Sequence, residues 1–177
     1  MTIDAHCRSI DLVATLAAIA FASTPTSLSA ASGDIVLQVM ASPAGFAEGA
    51  SPGHSFMCLA YHLNSGVKEE CFGFYPRGAS KNVFIGGPGI VAKEYEKNPA
   101  RFAIVAESFS RTISADSRNK VATVLNQFNQ ASYKLTEKNC IDLVDRVAAA
   151  AGWKLPERSA LQSPVAYLKS LKQRNTP

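Results

Sequence analysis

The chain has 177 residues, 47% of them hydrophobic and 18% charged, with 18 Lys and Arg against 14 Asp and Glu for a net charge of +4. That length accommodates one domain with a core of its own and leaves little room for a second. The mild positive charge is spread along the chain without a dense Lys/Arg block, which argues against nucleic acid as a partner and fits peripheral contact with an anionic cell envelope.

Residues 10–23 (IDLVATLAAIAFAS) are apolar apart from Asp11, Thr15 and Ser23, and the run is too short to span a bilayer comfortably. A small, polar stretch follows, in which Ser29 and Ala31 satisfy the small-x-small rule of signal peptidase. The expectation is a secretory signal over residues 1–31 and a single domain over 32–177, periplasmic or secreted. Removing the leader takes away Arg8, Asp4, Asp11 and Cys7, leaving 17 basic and 12 acidic residues and a charge of +5. Three cysteines then remain, Cys58, Cys71 and Cys140. An odd number in an exported chain points to one disulfide and one free thiol.

Asp34 to Ala41 (DIVLQVMA) reads as a first strand, followed by a loop rich in Gly, Pro and Ser. The runs HSFMCLAYHL and VKEECFGFYP, separated by Asn-Ser-Gly, read as a β-hairpin. With the turn centred between Asn64 and Ser65, Cys58 faces Cys71 and His54 faces Tyr75, all four on one face of the hairpin. A turn at Ser65-Gly66 instead sets Cys58 against Gly73 and His54 against Arg77. The cysteine pairing favours the first register and predicts a Cys58–Cys71 bridge. His6 and His62 have no supporting context. No HxH, HExxH or CxxC spacing occurs, so neither a metal nor a cofactor is expected.

In residues 77–92 (RGASKNVFIGGPGIVA) the GGPG run lacks a following GK[ST], and Pro88 removes an amide donor, so it reads as turn chemistry within a loop. Residues 93–101 (KEYEKNPAR) read as a charged, solvated stretch. Phe102 to Ile113 reads as a strand. Ser114 or Asp116 caps a helix reaching about Gln130, with Val121, Val124, Leu125 and Phe128 on its buried stripe. A short extended segment, Ser132–Leu135, leads to Asn139. The tail ends in a short helix, VAYLKSLK, and a frayed end.

Between them lies YKLTEKNCIDLVDRVAAAAGWKLP, residues 133–156. Ile141, Val144, Val147, Ala148 and Ala151 recur at helical spacing, Asn139 is an N-cap residue type, and Gly152 suits a helix C′ position. Cys140 therefore sits in the first turn, where free amides and the helix dipole favour thiolate over thiol. The other reading of such a cysteine is a small buried hydrophobe. A nucleophilic thiol needs a base, and the base an orienting polar group. Cys140, His54 and Tyr75 supply one candidate of each kind, on three separate elements.

GHSFMCL, CFGFYP and the Asn-Cys helix with its Gly-x-x-x-Pro exit together resemble circularly permuted NlpC/P60-like thiol hydrolases, papain-like in fold and related to lecithin:retinol acyltransferase-like enzymes. The resemblance covers roughly residues 35–156. It implies an α+β fold, an antiparallel sheet packed with helices, with the histidine hairpin preceding the cysteine helix. It further implies Cys140 as nucleophile, His54 as base, and an oxyanion site at the Asn139-Cys140 helix start. The family's third polar residue lies on the strand after the histidine. This chain has no His, Asn or Gln there, which leaves Tyr75 or Glu70. The implied activity is cleavage of amides in cell-wall peptides. The alternatives are hydrolysis or transfer of lipid acyl groups, for which no apolar lip is evident in the sequence, and an inactive exported binding module of the same fold.

Overall fold

A computed structural model of the protein describes residues 31–45, 52–78, 84–159 and 162–177. The leader expected over 1–31 lies, apart from Ala31, outside the described residues. Six strands form one antiparallel sheet: β1 (Ile35–Ser42), β2 (His54–Leu63), β3 (Gly66–Pro76), β4 (Gly87–Lys93), β5 (Glu107–Ile113) and β6 (Ser132–Tyr133), in the order β5-β1-β2-β3-β4-β6. Among the described residues four α-helices accompany it: α1 (Glu94–Lys97), α2 (Ala115–Asn129), α3 (Cys140–Ala150) and α4 (Pro164–Asn175). The fold is thus α+β, an antiparallel sheet packed with helices. Among the described residues no helix is long and apolar enough to cross a membrane.

The β2–β3 hairpin adopts the register in which Leu63 pairs with Gly66 and Cys58 with Cys71, and those two cysteines are bridged. Within the turn only Gly66 takes a positive φ, +128°, so Asn64 and Ser65 turn the chain without left-handed backbone. Side-chain alternation gives the sheet two unequal faces. On one, Leu37, Val39, Met57, Leu59 and Phe74 meet α2, α3 and α4 in the main core. On the other, Met40, Phe56, Cys58 and Cys71 form a smaller cluster covered by Phe102 and Val105. Burying side chains the size of Leu143 and Val144 of α3, both fully inaccessible, contributes about 1.5–3 kcal/mol apiece.

Both ends of α3 are specified locally. Asn139 Oδ1 accepts the Ile141 amide at 2.8 Å, and the Asn139 amide donates to Asp142 Oδ2 at 2.7 Å, a reciprocal N-terminal cap. At the other end Gly152 has φ +78°, with Gly152 N–H donating to Ala149 O and Trp153 N–H to Ala148 O. That pair of bonds is a Schellman motif, and it turns Trp153 into the core against Phe109.

Four segments differ from their sequence-based reading. Residues 87–93 are a strand, not a loop, because the missing Cβ of Gly89 lets the Phe74 ring pack directly on the backbone. Residues 99–104 form a 3₁₀ turn opened by Pro99, so the following strand starts only at Glu107. Extended structure after Ser132 is limited to two residues. The tail does not fray after VAYLKSLK: α4 continues to Asn175, which is buried and bonded through its carboxamide to Lys154 N, Lys154 O and Leu171 O at 2.8–2.9 Å.

Candidate active site

Cys140 and His54 reach the same point from opposite faces of the sheet. The first turn of α3 brings Cys140 in from the main-core face, whereas His54 shares the face of Phe56 and Cys58. They meet because His54 is the first residue of β2, at the sheet's rim. Both are buried, at 4% and 5% exposure, and the thiol lies against the imidazole and the Ser55 amide.

Tyr75 stacks on the imidazole, with ring centroids 4.5 Å apart, as expected from the hairpin register. Its hydroxyl does not address the histidine, however. It donates to Glu94 Oε2 at 2.5 Å. Glu70 is excluded by its position: it occupies the opposite side of β3 from Cys71, Gly73 and Tyr75, and pairs with Lys68 at 3.0 Å. The carboxylate beside His54 is Glu94, whose Oε2 lies 3.6 Å from Nε2. This corrects the solvated reading of residues 93–101 at Glu94 and Arg101, while Lys93, Glu96 and Lys97 are exposed as that reading expects. Glu94 is completely buried, and Arg101 Nε approaches its Oε1 at 2.8 Å. Arg101 Nη1 donates in turn to Ser42 Oγ at 3.4 Å, and Ser42 pairs with His54 across β1 and β2. Glu94 and Arg101 left no trace in the pattern because both sit in a charged run whose other members are exposed. Only the interruption by Pro99 marks it as more than a surface loop.

Gly73 makes this arrangement sterically possible. A Cβ there would lie 2.6 Å from both Glu94 Oε2 and His54 Nε2. The glycine of CFGFYP is therefore the opening through which Glu94 reaches the histidine.

The three titrating groups favour one another's charged forms against their burial. Burial pushes the His54 pKa down, but the facing Cys140 thiolate and Glu94 carboxylate outweigh it and raise the pKa above its ordinary value. Burial pushes the Cys140 thiol up, but the His54 imidazolium and the Ser55 amide bring it below the usual thiol range. Burial likewise favours protonated Glu94, and contacts with His54, Tyr75 and Arg101 reverse that. Tyr75 is raised by burial and by Glu94, so it remains a hydrogen-bond donor. With Arg101 included the cluster sums to zero charge, and moving a proton from Cys140 to His54 leaves that sum unchanged.

A cavity of about 180 Å³ opens over the thiol, lined by Cys140, Asn139, Leu135, Ile141, Phe84 and Gln162 among others. Phe84 of that lining and the next residue in the chain, Ile85, are 65% and 74% exposed, an apolar pair that the sequence pattern did not single out. Among the described residues, the buried side-chain polar atoms without a well-formed hydrogen bond are Gln162 Oε1, Ser55 Oγ beside the thiol, His54 Nε2, which faces Glu94 at 3.6 Å, and Glu94 Oε1 and Arg101 Nε, which meet each other as an ion pair at 2.8 Å. Each belongs to the charged cluster, flanks the thiol, or lines this cavity. Unsatisfied buried groups are few in folded proteins and concentrate where chemistry or binding takes place.

No family model matches the chain, and comparison with curated proteins and with solved structures likewise finds no match.

Proposed function

We propose that the protein is an exported, permuted NlpC/P60-like thiol hydrolase that cleaves amide bonds in cell-wall peptides. The observation that carries this reading is the buried Cys140–His54 contact completed by Glu94. Cys140 is the nucleophile, His54 the acid and base, and Glu94 the carboxylate that orients the imidazole; Tyr75 and Arg101 hold Glu94.

The thiolate attacks the scissile carbonyl, forming the C–S bond, while the oxyanion is stabilised by amides at the start of α3. His54 then gives its proton to the leaving nitrogen as the C–N bond breaks. Water, deprotonated by His54, hydrolyses the thioester and frees the thiol. The Cys58–Cys71 disulfide fits an oxidising compartment and hence export.

One observation favours a second reading, an acyl hydrolase or acyltransferase: exposed Phe84 in the cavity lining, followed in the chain by exposed Ile85, offers an apolar lip to a lipid. The test common to both is the pH dependence of Cys140 alkylation by iodoacetamide, compared between wild type and His54→Ala. A thiol reactive well below pH ~8.5 that slows in the variant is expected. A thiol indifferent to His54 would leave an inactive binding module as the better account.

A further inference from the structure

Gln162 lies outside the charged cluster, yet its Oε1 is buried without a hydrogen-bond partner among the described residues, and the residue lines the cavity over Cys140. Gln162 N–H donates to Ser159 O at 3.2 Å, and the adjacent Ser163 caps α4 by accepting the Ala166 amide at 3.2 Å. Phe84, Leu135, Ile141 and Pro164 make much of the lining apolar, and of its other polar side chains Asn139 is already bonded to the Ile141 amide and Leu135 O, and Ser163 Oγ to the Ala166 amide. Leaving a buried carboxamide oxygen unpaired costs about 1–3 kcal/mol, and nothing in the described fold recovers it. A polar group left unpaired in a binding cavity discriminates strongly for ligands that pair with it.

The chemistry of the carboxamide narrows the ligand. It accepts from an N–H through its oxygen and donates to a carbonyl through its NH₂. A peptide group satisfies either orientation. A hydrocarbon chain satisfies neither, and an ester has no N–H to donate.

We infer that Gln162 is a substrate-binding, specificity-determining residue that pairs with a peptide group next to the scissile bond. The cavity then takes a peptide carrying a small apolar residue, in preference to a fatty acyl chain. Its volume, equivalent to roughly six waters, suits a side chain of that size. This rests on the thiol-hydrolase reading above.

The test compares three reagents on the full-length protein and on Gln162→Leu, with labelling of Cys140 followed by peptide-mapping mass spectrometry. Methyl methanethiosulfonate is small and has no amide, and so reports intrinsic thiolate reactivity and an intact fold. N-acetyl-alanyl chloromethyl ketone carries a peptide group, and an alkyl chloromethyl ketone of equal length carries none. The wild type is expected to favour the peptide reagent. Gln162→Leu should lose about tenfold or more on that reagent alone, with its methanethiosulfonate rate unchanged. Equal peptide-reagent rates in both proteins, or a wild type that favours the alkyl reagent, would overturn the role of Gln162 and leave the thiol-hydrolase reading standing. A wild-type Cys140 inert to methyl methanethiosulfonate would remove both.

Discussion

Glu94 Oε2 stands 3.6 Å from His54 Nε2 and receives the Tyr75 hydroxyl at 2.5 Å, so the tyrosine stacked on the histidine acts on it through a carboxylate from another element. In the Cys140–His54–Glu94 reading, the carboxylate keeps the imidazole charged and aligned. Glu94→Gln retains shape and removes that charge. The variant is expected to lower the His54 pKa and so to move the alkaline limit of the Cys140–His54 ion pair downward. Titration of the His54 ring by NMR, alongside alkylation rates between about pH 5 and 9, checks this. An unshifted titration would mean that Glu94 serves packing alone.

Stability should follow the same charges. Glu94 is depressed in the folded state, so its contribution is present above the unfolded value of about 4.3 and is lost as pH falls through its folded value. His54 is raised, so its contribution is complete below about 6.5 and is lost as pH rises through its folded value. Cys140 is depressed, so its share is present above about 8.5 and is lost as pH falls through the folded thiol value. Urea unfolding across pH should therefore show the Glu94→Gln deficit to be large near neutrality and to shrink in acid. A deficit constant from pH 3 to 8 would contradict this.

Gly73→Ala puts a methyl group within 2.6 Å of Glu94 Oε2 and His54 Nε2. Glu94 must retreat, and the cluster should fail before the sheet does. We expect a folded protein by circular dichroism whose Cys140 alkylation at neutral pH is slower by roughly tenfold, the factor carried by about 1.4 kcal/mol. Unchanged reactivity would show that the contact is not needed.

Arg101→Ala leaves the buried Glu94 carboxylate without its cation. Removing one partner of a buried ion pair costs about 3–5 kcal/mol, and a loss near the lower end is expected because Arg101 is partly accessible. The Arg101→Ala, Glu94→Gln double variant should recover part of that loss, since the uncompensated charge is gone. Chemical denaturation of the four proteins measures the coupling directly, and strict additivity would deny it.

The Cys58–Cys71 bridge closes a short loop within the cluster of Met40 and Phe56, away from the thiol. Replacing both cysteines with alanine should lower stability by about 2–4 kcal/mol while leaving the pH profile of Cys140 alkylation in place. A changed profile would tie the bridge to the site.

The parts of the protein that the sequence determined by itself are those specified by near neighbours. Asn139, Asp142, the Ile141–Val144–Val147 stripe and Gly152 set both ends and the buried face of α3, because capping and periodicity act within a few residues. Two cysteines set symmetrically about Asn-Ser-Gly were enough for the hairpin register, and that register brought Tyr75 to His54. The tertiary structure alone decided the identity of the carboxylate. Glu94 looks like any member of a solvated charged run until the chain folds back over Phe56 and buries it between His54, Tyr75 and Arg101. It also decided the cavity, which gathers Phe84, Leu135 and Gln162 from three separate segments. Buried charge pairs and cavity walls arise from contacts between residues distant in the chain, and such contacts impose no period and no spacing on the sequence that makes them.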